Sequence, residues 1–349
     1  MRKINVGIVG CGSIAQHRHL PEYDANQLVQ IMAVCDPNEE RAIMVGQKYG
    51  AKYYTNYHCL LENQDIDAVS ICTPNFLHAE ISIAALRAGK HVLCEKPIAT
   101  SVEEAERMIE AANQTKKKLM IAHNQRFVRS HKLAKNMIET GKIGKIYSFR
   151  TTFGHRGPES WSVDGSNSWF FSKEKACLGS LGDLGVHKAD LIRFLLNEEI
   201  VEAAAFVDTK AKENCSVDDN AVCILRTESG IIGTLCSSWT YVGEEDNSTI
   251  IYGQKGIMRL EDDLRDALII QYSNGEIERH QLEGIQTNEQ GQQSDSKVID
   301  AFIESIATNG DSPISGIEGM KSLQVILAAL EANEKKTFIQ LNQQGKVSS

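Results

Sequence analysis

The first 122 residues alternate short apolar segments with segments of helical periodicity. The predicted strands are Ile4–Gly10, Leu28–Cys35, Lys52–Tyr54, Ala68–Cys72, His91–Glu95 and Leu119–Ala122. The helices predicted between them are Ser13–Tyr23, Glu39–Tyr49, Phe76–Ala88 and Val102–Thr115. Strands that alternate with helices form a parallel sheet that is covered on both faces. Residues 1–123 are therefore predicted to form a doubly wound α/β domain.

After residue 123 the alternation is lost. The predicted strands are Ile146–Phe153, Ala203–Val207, Ala221–Arg226, Ile231–Thr240, Thr249–Tyr252, Gly256–Leu260, Ala267–Tyr272 and Thr337–Leu341. The predicted helices are Ser130–Thr140, Gly185–Leu196, Val298–Thr308 and Gly316–Asn333, and the predicted loops are 154–172 and 286–296. Strands that follow one another without helices pair in an antiparallel or mixed sheet. Residues 124–349 are therefore predicted to form a second, α+β domain.

The charge and the cysteine content exclude several classes of protein. Lys and Arg number 37 against 46 Asp and Glu, so the net charge of −9 disfavours nucleic acid and anionic membranes as partners. The nine cysteines are scattered and lack the spacing of a zinc site, which predicts reduced thiols and no metal centre. No apolar segment approaches the roughly 18 residues of a membrane helix. These features predict a soluble, cytoplasmic protein.

A glycine-rich turn follows the first predicted strand. It reads Gly10-Cys11-Gly12-Ser13-Ile14-Ala15 and opens a predicted helix, which is the context that a dinucleotide-binding motif requires. Gly10 permits the tight turn, and Gly12 lets the backbone approach a pyrophosphate. The amides at the start of the helix, including those of Ser13 and Ile14, attract phosphate. A purely structural turn would carry the same glycines, but the context favours cofactor binding.

Asp36 stands at the end of the second predicted strand, 24 residues after Gly12. A carboxylate at this position accepts hydrogen bonds from the ribose hydroxyl groups of NAD and repels the 2′-phosphate of NADP. The sequence therefore predicts that the cofactor is NAD and favours NADP less. Arg41, five residues further on, is a cation that could shift this preference.

Two further strands end in polar residues. The fourth strand is followed by Thr73-Pro74-Asn75, with His78 three residues later, and the fifth by Glu95 and Lys96. Ligands bind at the carboxyl ends of the strands in open α/β sheets. Asn75 could instead only cap the next helix, and Glu95 with Lys96 could be a solvated pair. A lysine beside a cationic nicotinamide would have its pKa lowered and could exchange a proton with a substrate hydroxyl.

Asp183 and His187 form the third polar group. They are four residues apart in the segment Gly182–Asp190, so on an α-helix they share one face. A carboxylate beside an imidazole can fix its tautomer and raise its basicity, as general bases require. The same spacing also suits a helix-capping aspartate with a surface histidine.

Taken together, these motifs resemble the Gfo/Idh/MocA oxidoreductases, the family of glucose-fructose oxidoreductase and inositol dehydrogenase. The resemblance rests on GCGSIA, on the Thr-Pro-Asn…His turn, on AGKHVLCEKPIA at 88–99 and on GDLGVHKAD at 182–190. It implies an N-terminal Rossmann domain and a C-terminal domain with a large, open, mostly antiparallel sheet. It also implies a nicotinamide between the two domains and a homodimer or homotetramer formed through the second sheet.

The resemblance also implies roles for individual residues. Lys96 is similar to the catalytic lysine of the family, and Asp183 and His187 to its acidic and imidazole partners. Glu95, Thr73, Pro74, Asn75 and His78 match positions that line the cofactor. Arg126 lies where relatives place a basic residue that contacts substrate or cofactor. Leu178 departs from the glycine run that the family usually carries, so it either narrows the site or repacks the turn.

The predicted loop 154–172 is expected to set the substrate. His155, Trp161 and Trp169 supply polar tips and flat rings, which suit a polyhydroxylated ligand. The aromatic residues could instead only anchor the loop. The resulting hypothesis is an NAD-dependent dehydrogenase acting on a secondary hydroxyl of a sugar, sugar derivative or cyclitol. Two alternatives are a relative that cleaves glycosides with NAD but without net oxidation, and a non-catalytic NAD- or sugar-sensing regulator.

Overall fold

The computed structural model describes residues 2–285 and 295–341. Its first sheet has six parallel strands in the order β3-β2-β1-β4-β5-β6. The strands are β1 (Ile4–Val9), β2 (Val29–Cys35), β3 (Lys52–Tyr54), β4 (Ala68–Ile71), β5 (His91–Cys94) and β6 (Leu119–Ile121). All six were predicted, and the doubly wound α/β class of this half of the chain is confirmed.

The helices of this half are α1 (Leu20–Ala25), α2 (Glu39–Tyr49), α3 (Tyr57–Leu61), α4 (His78–Arg87) and α5 (Val102–Thr115). Three of them, α2, α3 and α5, begin at side-chain caps, and in α3 the cap is Asn56, which accepts from the His58 amide at 2.9 Å. Asn38 accepts a hydrogen bond from the Arg41 amide at 3.0 Å, and Ser101 accepts one from the Glu104 amide at 3.2 Å. The predicted helix Ser13–Tyr23 is instead a π turn at Ala15–His19 that leads into α1, and α3 was not predicted.

The second sheet has nine strands in the order β14-β13-β12-β11-β7-β10-β9-β8-β15. They are β7 (Ile146–Gly154), β8 (Ile200–Asp208), β9 (Asn220–Thr227), β10 (Ile232–Ser238), β11 (Thr249–Gly253), β12 (Gly256–Leu260), β13 (Leu268–Tyr272), β14 (Ile277–His280) and β15 (Ile339–Gln340). Only the β7–β10 pair is parallel, which confirms the predicted mostly antiparallel sheet; β14 was not predicted.

One face of the second sheet is covered by helices and the other is open. The remaining helices are α6 (Arg129–Glu139), α7 (Lys173–Ala176), α8 (Val186–Leu196), α9 (Val298–Ala307) and α10 (Gly316–Lys335). Of these, α6, α8 and α10 pack on the sheet. The open face carries exposed apolar side chains, and those of Phe206, Val222, Ile224 and Ile232 are 44–85% exposed.

The C-terminal helices return to the first sheet. The Ile121 amide donates to the Ile314 carbonyl at 3.0 Å, and Met120 forms a bridge with Ser315. At Gly319 of α10 a Cβ would lie 2.7 Å from the Ile121 side chain, so only glycine allows this approach. The tail of the predicted second domain thus packs against the first sheet, and the boundary at residue 123 stays a prediction.

Two other predictions can be compared with the described part of the chain. Among those residues, no helix combines the length and the apolar character needed to cross a bilayer. Most of the predicted loop 286–296 lies outside the described residues, because 286–294 are not among them.

Candidate active site

A cleft of about 440 Å³ opens at the carboxyl ends of β1, β2, β4 and β5. A loop of residues 155–171, the covering loop, forms the opposite side. All but one of the predicted site residues line this cleft. They are Gly10, Gly12, Ser13, Ile14, Asp36, Thr73, Pro74, Asn75, His78, Glu95, Lys96, His155, Trp161, Trp169, Asp183 and His187.

The glycine turn after β1 has the shape that a dinucleotide requires. Gly10 has a φ of +94°, and a Cβ there would lie 2.4 Å from the Cys72 carbonyl oxygen, so no other residue fits. At Gly12 no atom lies within 4 Å of the Cβ position, and the residue faces the cleft. The first amides of a helix have no intrahelical acceptor. The turn therefore leaves the space and the donors that a pyrophosphate needs.

Asp36 follows β2 and is held by two backbone amides. Its Oδ2 accepts from Cys11 and its Oδ1 from Asn38, both at 2.9 Å. The residue is only 4% exposed but lines the cleft. A carboxylate has about four acceptor positions, so positions remain for two ribose hydroxyl groups. This arrangement fits NAD.

The residues after β4 connect the cleft to its surroundings. The Asn75 side chain donates to the Ala176 carbonyl at 2.8 Å and does not cap α4, so its interpretation as a helix cap is wrong. The two ring nitrogens of His78 contact the carbonyls of Pro97 at 2.7 Å and Thr73 at 2.9 Å. His78 thus ties the turn after β4 to the turn after β5. Burial lowers the pKa of His78, although both carbonyl contacts oppose this shift.

Glu95, directly after β5, is the centre of a buried polar group. Its Oε1 lies 2.9 Å from His19 Nε2 and 3.5 Å from Arg18. Burial alone would raise the pKa of Glu95, but the His19 hydrogen bond and the charges of Arg18 and Lys96 lower it to about 2. Glu95 is therefore an ionised anchor of the turn and not a solvated acid. The sequence carried no signal for Arg18 and His19, because a helical segment of mixed polarity does not show which side it buries.

Lys96 and Asp183 meet in the cleft. Lys96 Nζ donates to Asp183 Oδ1 at 2.7 Å and to the Asp183 carbonyl at 2.9 Å. These two bonds leave one of the three ammonium donors for a ligand. The other carboxylate oxygen, Oδ2, accepts from Trp239 Nε1 at 3.2 Å. Trp239 is fully buried beyond the end of β10, and the sequence analysis missed it.

The sequence predicts that Asp183 orients His187, but the structure has no hydrogen bond between these two described residues, and this part of the prediction is wrong. Asp183 lies in a π turn at Leu181–Gly185, and its oxygens are taken by Lys96 and Trp239. A π turn closes over five residues, so positions four apart do not align as they do in an α-helix. Among the described residues His187 Nδ1 has no hydrogen-bond partner. Burial, then the charge of Lys96, lowers the pKa of His187 well below its usual value, so the imidazole is neutral.

Arg126 is the predicted site residue that does not line the cleft. Its guanidinium donates twice to Asp190 and once to Glu318, each at 2.7 Å. These acidic partners, on α8 and α10, draw it away from the ligand space. Its neighbours Asn124 and Gln125 line the cleft instead. They lie three and four residues after the end of β6, so the rule used for the other strand ends could have identified them.

The covering loop is attached to the glycine turn. Ser13 Oγ donates to the Trp161 carbonyl at 3.0 Å and accepts from the Val163 amide at 2.9 Å. Within the loop, His155 Nδ1 accepts from the Gly157 amide at 2.9 Å, and Trp169 stacks on the ring of Phe170, with centroids 3.9 Å apart. The loop thus brings aromatic and polar side chains over the cleft.

Leu178, the departure from the family pattern, does not line the cleft. It is buried and packs against Gly182 in the π turn, where a Cβ would lie 2.2 Å from the Leu178 Cβ. Of the two alternatives, repacking of the turn is therefore the one that the structure supports. Within the described residues, no three His, Cys, Asp or Glu side chains are grouped to hold a metal ion.

Comparisons with known proteins agree with this geometry. Residues 4–123 match the oxidoreductase family with an NAD-binding Rossmann fold, and residues 131–259 match the GFO/IDH/MocA C-terminal domain. Levoglucosan dehydrogenase of Pseudarthrobacter phenanthrenivorans is 28% identical over 98% of this chain and 99% of its own. Myo-inositol 2-dehydrogenase of Thermotoga maritima is 28% identical over 97% of this chain and 99% of its own.

The structural similarity extends over the whole described chain. A structure of levoglucosan dehydrogenase in complex with NADH and L-sorbose has a TM-score of 0.87 at 27% identity. The match covers 98% of this chain and 100% of that one. The chain therefore belongs to the Gfo/Idh/MocA oxidoreductase family, and its first sheet is the NAD-binding Rossmann fold of that family.

Proposed function

We propose that the protein is an NAD-dependent dehydrogenase that oxidises a secondary hydroxyl group of a sugar, sugar derivative or cyclitol, or reduces the corresponding ketone. The observation that carries the proposal is the Lys96–Asp183 pair, at 2.7 Å, in the same cleft as the glycine turn and Asp36. Relatives named for levoglucosan and myo-inositol as substrates support the substrate class.

In the proposed mechanism the glycine turn and Asp36 would hold NAD, whose nicotinamide would supply the acceptor for the hydride of the carbinol carbon. Lys96 Nζ acts as the base in its neutral amine form: its two hydrogens bond Asp183 Oδ1 and the Asp183 carbonyl, and its lone pair takes the proton of the substrate hydroxyl. His187 is a neutral imidazole that lines the cleft, so it can accept a hydrogen bond or a proton from the same hydroxyl. In the reverse direction these groups return the proton to the ketone oxygen.

The substrate class is supported by the chemistry of the cleft wall. Trp161 and Trp169 present flat rings, and His155 presents a polar edge. Aromatic rings pack on the apolar faces of sugar rings, whereas polar side chains bind the hydroxyl groups. Amide side chains at Asn124 and Gln125 add hydrogen-bond capacity on the same side.

The assembly, location and domain boundary are further parts of the proposal. The open face of the second sheet exposes Phe206, Val222, Ile224 and Ile232, and large apolar patches are typical of protein interfaces. We therefore propose a homodimer or homotetramer formed through this face. The nine cysteines are unpaired, which supports a cytoplasmic location. The proposed domains are residues 1–123 and 124–349.

The test combines coenzyme binding with turnover. NADH and NADPH are titrated by fluorescence, and sugars, inositols and sugar acids are screened for NADH production. Lys96→Ala is expected to keep NADH affinity within about twofold while kcat falls more than a thousandfold, and Lys173→Ala, at an exposed lysine of α7, leaves both unchanged. If Lys96→Ala keeps turnover within tenfold, or about 1.4 kcal/mol of barrier, Lys96 has no part in the chemistry. Glycoside cleavage without NADH release would favour the non-redox alternative.

A further inference from the structure

Arg41 lies between two carboxylates that come from distant parts of the chain. Its NH2 donates to Asp164 Oδ1 at 2.7 Å, and its NH1 lies 3.7 Å from Asp36 Oδ2. Asp36 follows β2, whereas Asp164 belongs to the covering loop. All three residues line the cleft. The covering loop therefore reaches the part of the site that holds the acid expected to bind the adenosine ribose.

The position of Asp164 is set by contacts of the residues that directly precede it in sequence. The Trp161 carbonyl and the Val163 amide are both bonded to the Ser13 hydroxyl, at 3.0 and 2.9 Å. Ser13 itself is in the glycine turn. The Asp164 carboxylate is thus carried by a segment fixed to the dinucleotide motif, and its side chain is 39% exposed against 21% for Arg41.

The charges at this end of the cleft favour a ligand without a phosphate. A guanidinium is the side chain that accommodates a 2′-phosphate, because it offers paired donors to the phosphate oxygens. Here the Arg41 guanidinium is engaged by Asp164 and lies beside Asp36, so two negative charges face one positive charge. A 2′-phosphate would have to displace Asp164 to gain the arginine.

We propose that Asp164 is a coenzyme-specificity residue: it holds Arg41 away from a 2′-phosphate and so strengthens the preference for NAD over NADP. This inference rests on the NAD-binding part of the proposed function and on no feature of the sugar site. Asp36 repels a 2′-phosphate directly, whereas Asp164 acts by occupying the cation that would neutralise it. The covering loop, through this residue, contributes to coenzyme selection as well as to substrate binding.

The test measures dissociation constants of NADH and NADPH by fluorescence, without substrate. Asp164→Asn keeps the shape of the side chain and removes its charge. It is expected to tighten NADPH binding threefold to fivefold, up to about 1 kcal/mol, while NADH affinity changes less than twofold. In the Arg41→Ala background the same substitution is expected to leave NADPH affinity unchanged, because the cation is missing. Asp164→Ala repeats the measurement with the hydrogen-bonding group removed.

The matched control is Glu159→Gln, which removes one negative charge from the same loop. Glu159 is paired with Lys212 and not with Arg41. An equal gain in NADPH affinity from Glu159→Gln would overturn the proposal in favour of a general charge effect. An unchanged ratio of the two affinities in both Asp164 variants, or a gain that persists without Arg41, would also overturn it. Failure of the wild-type protein to bind either dinucleotide contradicts the proposed function itself, and the two failures are distinct.

Discussion

One wall of the cleft consists of strand ends, and the opposite wall consists of loops and a π turn. In the first wall the glycine turn, Asp36 and the Glu95–Lys96 pair each follow a parallel strand directly. In the second wall the covering loop contacts Ser13, 148 residues away in sequence, and Trp239 holds Asp183 across 56 residues. The first wall is held by the sheet itself, whereas the second depends on contacts between distant segments.

The two walls also differ in how they use charge. The strand-end wall is anchored by an ionised acid, since the pKa of Glu95 is lowered to about 2 by His19, Arg18 and Lys96 against the effect of burial. The loop wall is backed by buried histidines whose pKa values are low because burial disfavours their charged form. Burial, then the charge of Arg126, lowers the pKa of His123 to about 4. Removal of single groups should therefore affect the two walls differently.

The largest effect is expected at Arg126, behind the loop wall. Arg126→Ala removes both bonds to Asp190, which is fully buried, and leaves that carboxylate with fewer partners. Breaking a buried ion pair costs about 3–5 kcal/mol of unfolding free energy. The expected result, measured by urea denaturation, is a loss of this size, with NADH affinity changed less than twofold.

The control for Arg126 is Arg129→Ala in the next helix. Arg129 is largely exposed and lies 3.7 Å from the exposed Glu283, so its loss should cost less than about 0.5 kcal/mol. If Arg126→Ala instead keeps full stability but raises KM for the sugar more than tenfold, Arg126 contacts substrate. In that case the substrate site would include Arg126, which does not line the cleft in this structure.

Much of the fold could be predicted because it depends on local periodicity. The six strands of the first sheet are short, apolar and separated by helical segments, so their pattern is visible over a few residues. The elements that were missed are short. α3 has five residues and β14 has four, and the latter is an edge strand with little burial, so neither gives a periodic apolar pattern. The sequence of Ala15–His19 carries no signal that separates its π turn from an α-helix.

The residues of the candidate site also divide into those that could be predicted from the sequence and those that could not. Asp36 and Lys96 could be predicted because a polar residue after a buried parallel strand faces the ligand edge of the sheet. The hydrogen bond from Trp239 to Asp183 could not be predicted, because the second sheet brings the indole to Asp183 from a distant part of the sequence. The strand-end rule does not distinguish Arg126 from Gln125, because both residues follow β6. The acids on α8 and α10 decide which of them turns away from the cleft.

A second prediction concerns pH and the support of the loop wall. Burial, then the charge of Lys188, lowers the pKa of His131 to about 3, and its neutral ring bonds the Gln125 carbonyl at 2.8 Å. In the unfolded chain a histidine titrates near 6.5, so below that pH the unfolded state binds a proton that the folded state does not. Stability is therefore full above about pH 6.5 and falls as the pH drops towards 3.

For His131 alone this loss amounts to about 2 kcal/mol between pH 7.5 and pH 5, because each pKa unit is worth about 1.4 kcal/mol. The glutamine in His131→Gln cannot take up the proton. The fall in unfolding free energy between pH 7.5 and pH 5 should therefore be about 2 kcal/mol smaller in this variant than in the wild type. Urea denaturation at the two pH values measures the difference. His17→Gln, at an exposed histidine, is the control and should retain the wild-type pH dependence. An identical pH dependence in His131→Gln would mean that His131 is protonated in the fold.

The smallest effect separates the positioning of the catalytic pair from the packing of the loop wall. Trp239→Phe removes the indole donor to Asp183 Oδ2 and keeps an aromatic ring in the buried cluster. Lys96 then faces a carboxylate with more rotational freedom, and kcat is expected to fall about tenfold, or about 1.4 kcal/mol, with unchanged NADH affinity.

Phe171→Leu is the matched control. The Phe171 ring packs edge-on against Trp239, with ring centroids 5.9 Å apart, and has no donor for a hydrogen bond to Asp183. Both variants lose packing and should lose similar stability, so only a difference in kcat reports on the hydrogen bond. Equal values of kcat in the two variants would mean that Trp239 supports the loop wall without orienting the carboxylate.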